Sequence, residues 1–404
     1  MIFVGVDWAE AHHDVCVLDE DGQVLGKRRI AEGVSGLADL HGLVADHAEE
    51  SDEVVVGIET DRGLLVSALI AAGFEVYAIN PMAASRYRDR HHVSGAKSDP
   101  GDAKMLADLV RTDRHNHRRV AGDSELAEAI KVLARAHQSA IWSRQRQANA
   151  LRSALREYYP AALEAFGTDL TSTDALGVLG VAPTPELGRQ LSRSKLAAAL
   201  RRAGRQRNVE SRAEAIQAAL RTDQLSQPAV LSGAYGHVTS SSVRMITQFN
   251  AEIAELEGAL AEHFEQHPDA KIIRSLPGLG TILGARVLAE FGDDRTRYAD
   301  GKSRRNYAGT SPITRASGKS RVVLARFTRN RRLADVLDQW AFCSLTHSDG
   351  ARRYYDQLRS RDKTHRQALR QLANRWVGIL HGCLDHQCLY DEAAAWKAAE
   401  PAAA

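Results

Sequence analysis

The 404-residue chain has no run of about 18 apolar residues. Its opening, MIFVGVDWAE, carries no basic leader followed by an apolar stretch and a small-residue cleavage site. Neither a membrane span nor a secretory signal is therefore expected, and the expected location is cytoplasmic. Cysteine is scarce. Cys16, Cys343, Cys383 and Cys388 show neither CxxC nor Cys/His ligand spacing, which argues against a zinc site or a disulfide framework and for buried free thiols. A large charge of one sign is also missing. The net charge of +2 does not by itself announce a polyanion partner. Lysine is rare, 10 residues against 43 arginines. The planar arginine fork suits phosphate oxygens, although a GC-rich genome would produce the same bias.

What the chain does have is 44% apolar residues, enough for two or three domains with cores. Its positive charge is unevenly placed. From Gly301 to Ala334 there are ten basic residues, among them Lys302, Arg304, Arg305, Arg315, Lys319 and Arg321, and no acid. Such a block is either a solvated face or a phosphate-binding surface, and the interleaved Asn306, Tyr307, Ser and Thr favour the second.

The first eighty residues alternate between short β-branched runs and amphipathic stretches. IFVGVDWA reads as a strand, HDVCVLDEDGQVLGKRRI as two strands about a turn, and GVSGLADLHGLVADHAEE as a helix. EVVVGIET, RGLLVSALIAAG and FEVYAIN continue as strand, helix and strand, the last stopped by Pro81. This βββαβαβ order, followed by helices, matches an RNase H-like plan, a mixed sheet covered on both faces. From Glu125 to about Tyr159 an apolar stripe predicts one long helix stopped by Pro160. A second runs through Val243, Ile246, Phe249, Ile253, Leu256 and Leu260 with the a/d rhythm of a coiled-coil seam. Further on, SLPGLGTILGARVLAEFG resembles the second half of a helix-hairpin-helix, whose Gly278 and Gly280 amides would face a phosphate.

Four carboxylates stand out. Asp7 ends the first strand and Glu59 the fourth. Adjacent central strands ending at one sheet edge deliver their terminal side chains into one crevice. In SDPGDAKMLA, Asp99 and Asp102 lie three residues apart at a helix start. By themselves they read first as an N-cap with a first-turn acid, Pro100 between them, and, without excluding that, as ligands of a cation. Asp7, Glu59, Asp99 and Asp102 together would hold one or two Mg²⁺ or Mn²⁺ ions, offsetting the charge that builds in phosphodiester cleavage. Asp14, Asp19 and Asp21 read as turn residues, Asp61 and Asp108 lack the strand-end logic, and His12, His13, His91 and His92 read as surface histidines.

These motifs resemble the IS110-type transposases, bridge-RNA-guided recombinases with a RuvC-like domain carrying an Asp-Glu-Asp-Asp set. The resemblance rests on GVDWAEAHHDV, GIET and KSDPGDAKMLA, and in the second half on LPGLGTILGARVLAEFGD and RRNYAGTSPITRASGKS. It implies a RuvC-like catalytic domain over 1–122, a helical coiled-coil linker over 123–267 and a mainly helical transposase domain over 268–390. The Ala-rich tail, 391–404, is expected to be disordered. The resemblance further implies that Ser317 is a nucleophile, with Ser311 and Ser320 as the neighbours it must be told from, and that Arg315, Lys319 and Arg321 surround the phosphate. The implied reaction is strand exchange between donor and target DNA through a phosphoserine, guided by a structured RNA, in a dimer or tetramer that combines one subunit's acidic site with another's serine. The alternative is a RuvC-like junction resolvase that cuts with metal-activated water and does not need Ser317.

Overall fold

In a computed structural model that describes residues 1–48, 50–91, 98–120, 122–318, 320–326 and 329–396, the chain divides into two units, Met1–Gly122 and Asp123–Ala404. In the first, β1 (Ile2–Trp8), β2 (His12–Leu18) and β3 (Val24–Ala31) form an antiparallel meander. Through α1 (Val34–Ala45) the chain returns to β4 (Val54–Ile58), parallel to β1, and through α2 (Leu64–Ala71) to β5 (Glu75–Ala78), parallel to β4. Two helices follow, α3 (Pro81–His91) and α4 (Asp99–Asp113), and then β6 (Arg118–Arg119) pairs antiparallel with β5. The sheet order is β3-β2-β1-β4-β5-β6. The expected order of elements is present, with the two-residue β6 as an addition.

Strand alternation divides the apolar residues between two faces. Val4, Val6, Val54 and Val56 pack against Leu40 of α1 and Leu65 and Leu69 of α2. On the opposite face Phe3, Cys16, Leu18 and Val55 pack against Leu106, Leu109 and Val110 of α4. Burial on both faces explains why VVVGI is a continuous apolar run rather than an alternating one.

The second unit is built on two long helices, α5 (Glu125–Tyr158) and α11 (Ala229–Glu265). Ser124 caps α5 through the amide of Ala127, and Pro160 opens the next helix. The apolar stripe through Val243 and Leu260 belongs to a 37-residue helix, longer at both ends than the stripe. Between them lie α6 (Pro160–Phe166), α7 (Thr173–Val181), α8 (Pro185–Gln190), α9 (Arg193–Arg202) and α10 (Val209–Leu220). Of these, α6, α7, α9 and α10 share a core with Leu151 and Leu155 of α5 and Ile246 of α11. The opposite ends of the long pair, Ile130, Leu260 and Phe264, join a second core with α12 (Ala270–Ser275), α13 (Thr281–Phe291), α14 (Gly301–Ala308), α15 (Arg331–Ser344), α16 (Asp349–Arg359) and α17 (His365–Asp385). Trp340 and Trp376 stack at its centre, 5.4 Å between rings. A hairpin of β7 (Ile313–Ser317) and β8 (Ser320–Leu324) leaves this core with every described residue exposed.

The tail corrects an expectation. Residues 391–396 are ordered: α18 (Glu392–Ala395) leads to Trp396, whose ring lies 5.5 Å from that of Trp376 and 4.5 Å from the Arg375 guanidinium. Residues 397–404 lie outside the described residues.

Candidate active site

The acidic crevice is set up by two glycines. Gly5 and Gly57 are register partners on β1 and β4. A Cβ on Gly5 would overlap the carbonyl of Ala103 and the amide of Ala107, and one on Gly57 would sit 2.7 Å from the carbonyl of Leu106. The backbone of α4 therefore rests directly on the sheet. One turn back along α4, Asp102 and Asp99 come over the strand ends that carry Asp7 and Glu59, each two residues beyond its glycine.

The carboxylates act on one another. Asp7 is pushed up to about 6, first by burial and then by the charges of Asp102, Glu59, Asp99 and Asp14. Asp102, Glu59 and Asp99 thus lie near enough for their charges to act on Asp7, and Asp14 acts with them. Asp14 is not a turn residue: it lies within β2, opposite Asp7 in the ladder, and is 6% exposed. Arg29 of β3 binds it at 2.7 Å and reaches Asp99 at 3.3 Å. Arg88 of α3 binds Asp102, also 6% exposed, at 2.7 Å.

The capping question has a structural answer. Ser98 is the N-cap residue of α4 and makes no side-chain cap, so Asp99 stands one position inside the helix and Asp102 in its first turn. Both sit where the helix dipole favours negative charge. His12, one of the residues read as surface histidines, has a ring nitrogen within 4.8 Å of carboxylate oxygens of Asp14 and Asp99, a group able to share a cation. His13 on the other face of β2 is buried, 1% exposed, and bonds Glu32 at 2.7 Å. His92 lies outside the described residues. Asp108 is engaged by Arg111 and by the Tyr87 hydroxyl, and Asp61 is exposed beyond β4. An all-oxygen set of carboxylates on strand ends and a helix start is the donor chemistry that hard divalent cations take.

The second unit treats its expected residues less uniformly. Ser317 is the last residue of β7, exposed and opposite Ser320, with Gly318 at φ 55° turning the chain. Arg315 shares the Ser317 face of the hairpin by the two-residue period, and Arg321, opposite Ala316, projects from the other. Lys319 lies outside the described residues, and Ser311 is half-buried ahead of β7. Arg304 departs from its expected phosphate role. It is 4% exposed, with its guanidinium 4.6 Å from the Tyr298 ring centre and 5.4 Å from that of Phe291, and burial pushes its pKa down to about 10. Arg305 folds back so that its Nε donates to the Gly301 carbonyl at 3.0 Å. Gly278, φ 83°, is occupied too: a Cβ there would meet the Ser344 amide at 2.7 Å, so the turn is sealed against α15. Gly280 is exposed as the N-cap of α13.

Comparison with known proteins finds two family matches along the chain. Residues 4–160 match a family model of DEDD transposases of the IS110 type, and residues 270–356 match that of the IS116/IS110/IS902 transposase family. The chain is 46% identical to the mini-circle protein for IS117 of Streptomyces coelicolor, over all of this chain and 98% of the relative. It is 30% identical to the 42 kDa protein of insertion element IS900 of Mycobacterium paratuberculosis, over 98% and 99%. Its identity to the 43.6 kDa protein of IS110 of S. coelicolor is 28%, over 96% and 95%. The fold and the family models define a transposase, an enzyme that processes DNA. The chain belongs to the IS110 family of insertion-sequence transposases.

Proposed function

We propose that this transposase exchanges strands between donor and target DNA with Ser317 as nucleophile and an RNase H-like (RuvC-like) acidic site, guided by a structured RNA and acting as a homo-oligomer. The observation that carries the reading is that α4 rests on register-paired Gly5 and Gly57, which puts Asp99 and Asp102 of its first turn near Asp7 and Glu59, each two residues beyond its glycine. These four carboxylates would hold Mg²⁺ or Mn²⁺, which when bound supplies charge stabilisation for the oxygens of a phosphoryl group in transfer.

The residues of the chain divide the remaining work. The Ser317 oxygen forms a bond to phosphorus while the bond from phosphorus to the leaving deoxyribose oxygen breaks; the serine loses its proton and the leaving oxygen gains one. A strand end of the partner DNA then reverses the step, so no water is consumed. Arg315, on the same hairpin face as Ser317, is positioned to bind the phosphate, and Arg321 adds charge from the other face. A guide RNA would leave sequence reading to base pairing and ask the protein only for backbone contacts.

The test is to recover RNA co-purifying with the protein and assay exchange of its matched donor and target DNAs. Asp102→Asn and Ser317→Ala are expected to abolish exchange while RNA binding persists, and Ser311→Ala and Ser320→Ala to retain it. A Ser317→Ala variant that still cuts DNA would instead point to metal-activated water and a resolvase-like reaction.

A further inference from the structure

Two clefts flank the root of the β7–β8 hairpin, both within the second unit. The first, about 570 Å³, lies between α5, α15 and α17 and is lined by Arg329, Arg331, Arg366, Arg370, Trp142 and the acids Asp335 and Asp338 among others. Its acids are already engaged: Asp338 pairs with Arg366 at 2.9 Å, and Asp335 accepts from the amides of Gln138 and Gln339, each at 2.8 Å. Among the described residues no carboxylate lies within ion-pair distance of Arg329, Arg331 or Arg370. Arg329 is pushed below its ordinary value by burial and then by the charge of Arg370, with Asp338 acting in the opposite direction.

The second cleft, about 510 Å³, lies between the hairpin root and α16–α17 and has Arg326, Lys363 and Arg370 in its wall, with no acid among its lining residues. The Arg326 Nε is buried and finds no partner among the described residues. Thr310 and Arg370 line both clefts, so the two meet at the point where the chain enters β7.

We infer that the two clefts form one groove that holds the sugar–phosphate backbone of a single DNA strand beside the Ser317 hairpin. Guanidiniums that make no ion pair among the described residues, set in a concave surface, match phosphodiester oxygens. Each cleft has the volume of a small-ligand site rather than the breadth a duplex needs. Trp142, half-buried, offers aromatic surface for stacking a base, the combination that single-strand sites use. Arg332 backs that ring, 5.1 Å from its centre, and is itself fixed by bonds to the Arg135 carbonyl and Ser139. The groove goes beyond the serine reading and does not depend on it.

The test uses the full chain, 5′-fluorescein-labelled oligo(dT) and oligo(U) of equal length, and anisotropy titrations across a salt series. Arg326→Ala/Arg370→Ala is expected to weaken oligo(dT) binding at least tenfold and to reduce the slope of log K against log salt by roughly 1.4, about 0.7 per lost phosphate contact. Trp142→Ala should weaken binding several-fold with the slope unchanged. Arg326→Lys/Arg370→Lys should keep the slope, and Arg202→Ala/Arg207→Ala, elsewhere in the unit, should change neither quantity. If the double alanine variant fails to fold, the exposed Lys363→Glu reads the same groove. Unchanged affinity and slope in the folded variants would overturn the inference, as would groove-dependent binding of oligo(U) that exceeds oligo(dT). Ser317→Ala leaves this binding intact, so a groove that binds while Ser317→Ala still exchanges strands would refute the serine and leave the groove standing.

Discussion

Replacing Asp7 by Asn should make the cation-free protein more stable while destroying its activity. The Asp7 carboxyl moves from 3.8 to about 6 on folding, and about two pK units at ~1.4 kcal/mol each give a penalty near 3 kcal/mol. Asp7 is only partly buried, so solvent screening reduces this to roughly 1.5 kcal/mol. Between pH 4 and 6 the folded chain keeps a proton that the unfolded chain has released, so stability falls as pH rises through this window, and above pH 6 the whole penalty is present. Asparagine has no charge to desolvate or repel. Thermal unfolding in EDTA at pH 7.5 should place Asp7→Asn roughly 5 °C above wild type for a unit of this size. At pH 4.5 the advantage should be clearly smaller, because folded Asp7 then carries a proton for much of the time. Added Mg²⁺ should raise the wild-type midpoint and move the variant less. A variant that melts at or below wild type at pH 7.5, or whose gain is the same at both pH values, would refute the electrostatic account of the crevice.

Three further outcomes follow from the packing. Arg88→Met removes the cation facing the buried Asp102 and should cost about 3 kcal/mol in EDTA, with much of the loss recovered by Mg²⁺, as read from denaturant midpoints. Gly5→Ala drives a methyl into the α4 backbone and should cost about 2–4 kcal/mol in calorimetry, whereas Gly33→Ala, with open space around it but φ 99°, should cost less. Arg304→Met, in its aromatic cage, should change stability by no more than ~1 kcal/mol and leave the salt slope of DNA binding unaltered; a lower slope would restore Arg304 to the phosphate surface.

Much of the acidic site could be read in advance because strand ends and helix starts leave marks in sequence. Asp7 and Glu59 close apolar runs, and the Asp-Pro-Gly-Asp start announces α4. Asp14 lies within the expected strand, but its place opposite Asp7 depends on the β1–β2 register, which leaves no mark in the sequence. Once that register is known, the two-residue period places His12 and Asp14 on the face of Asp7. Arg29 and Arg88 had no local signature at all, since an arginine's carboxylate partner is chosen by tertiary packing. The basic block misled at Arg304 for a different reason. A count of charges ignores the helical period, and the Asp300 cap starts a helix that turns Arg304 inward while Lys302 stays outside. At Gly278 the glycine was legible as a turn but its purpose was not, because close approach to α15 involves residues more than sixty positions away.

The placement of α4 also decides which carboxylate carries the burden of the cluster. Asp99 and Asp102 stand in the first turn of a helix whose N-terminus favours their charge, and each has an arginine partner. Glu59 is exposed beyond its strand, where water screens it. Asp7 has no ion pair among the described residues and faces the other four, so the proton that relieves the cluster belongs on Asp7. Cation binding by this set must then displace that proton, and affinity for Mg²⁺ should rise with pH up to about 6 and level off beyond it. Calorimetric titration of Mg²⁺ into wild type at pH 5.5 in buffers of different ionisation enthalpy should reveal a released proton that Asp7→Asn does not release. Equal proton release by the two proteins would place the shared proton elsewhere in the cluster.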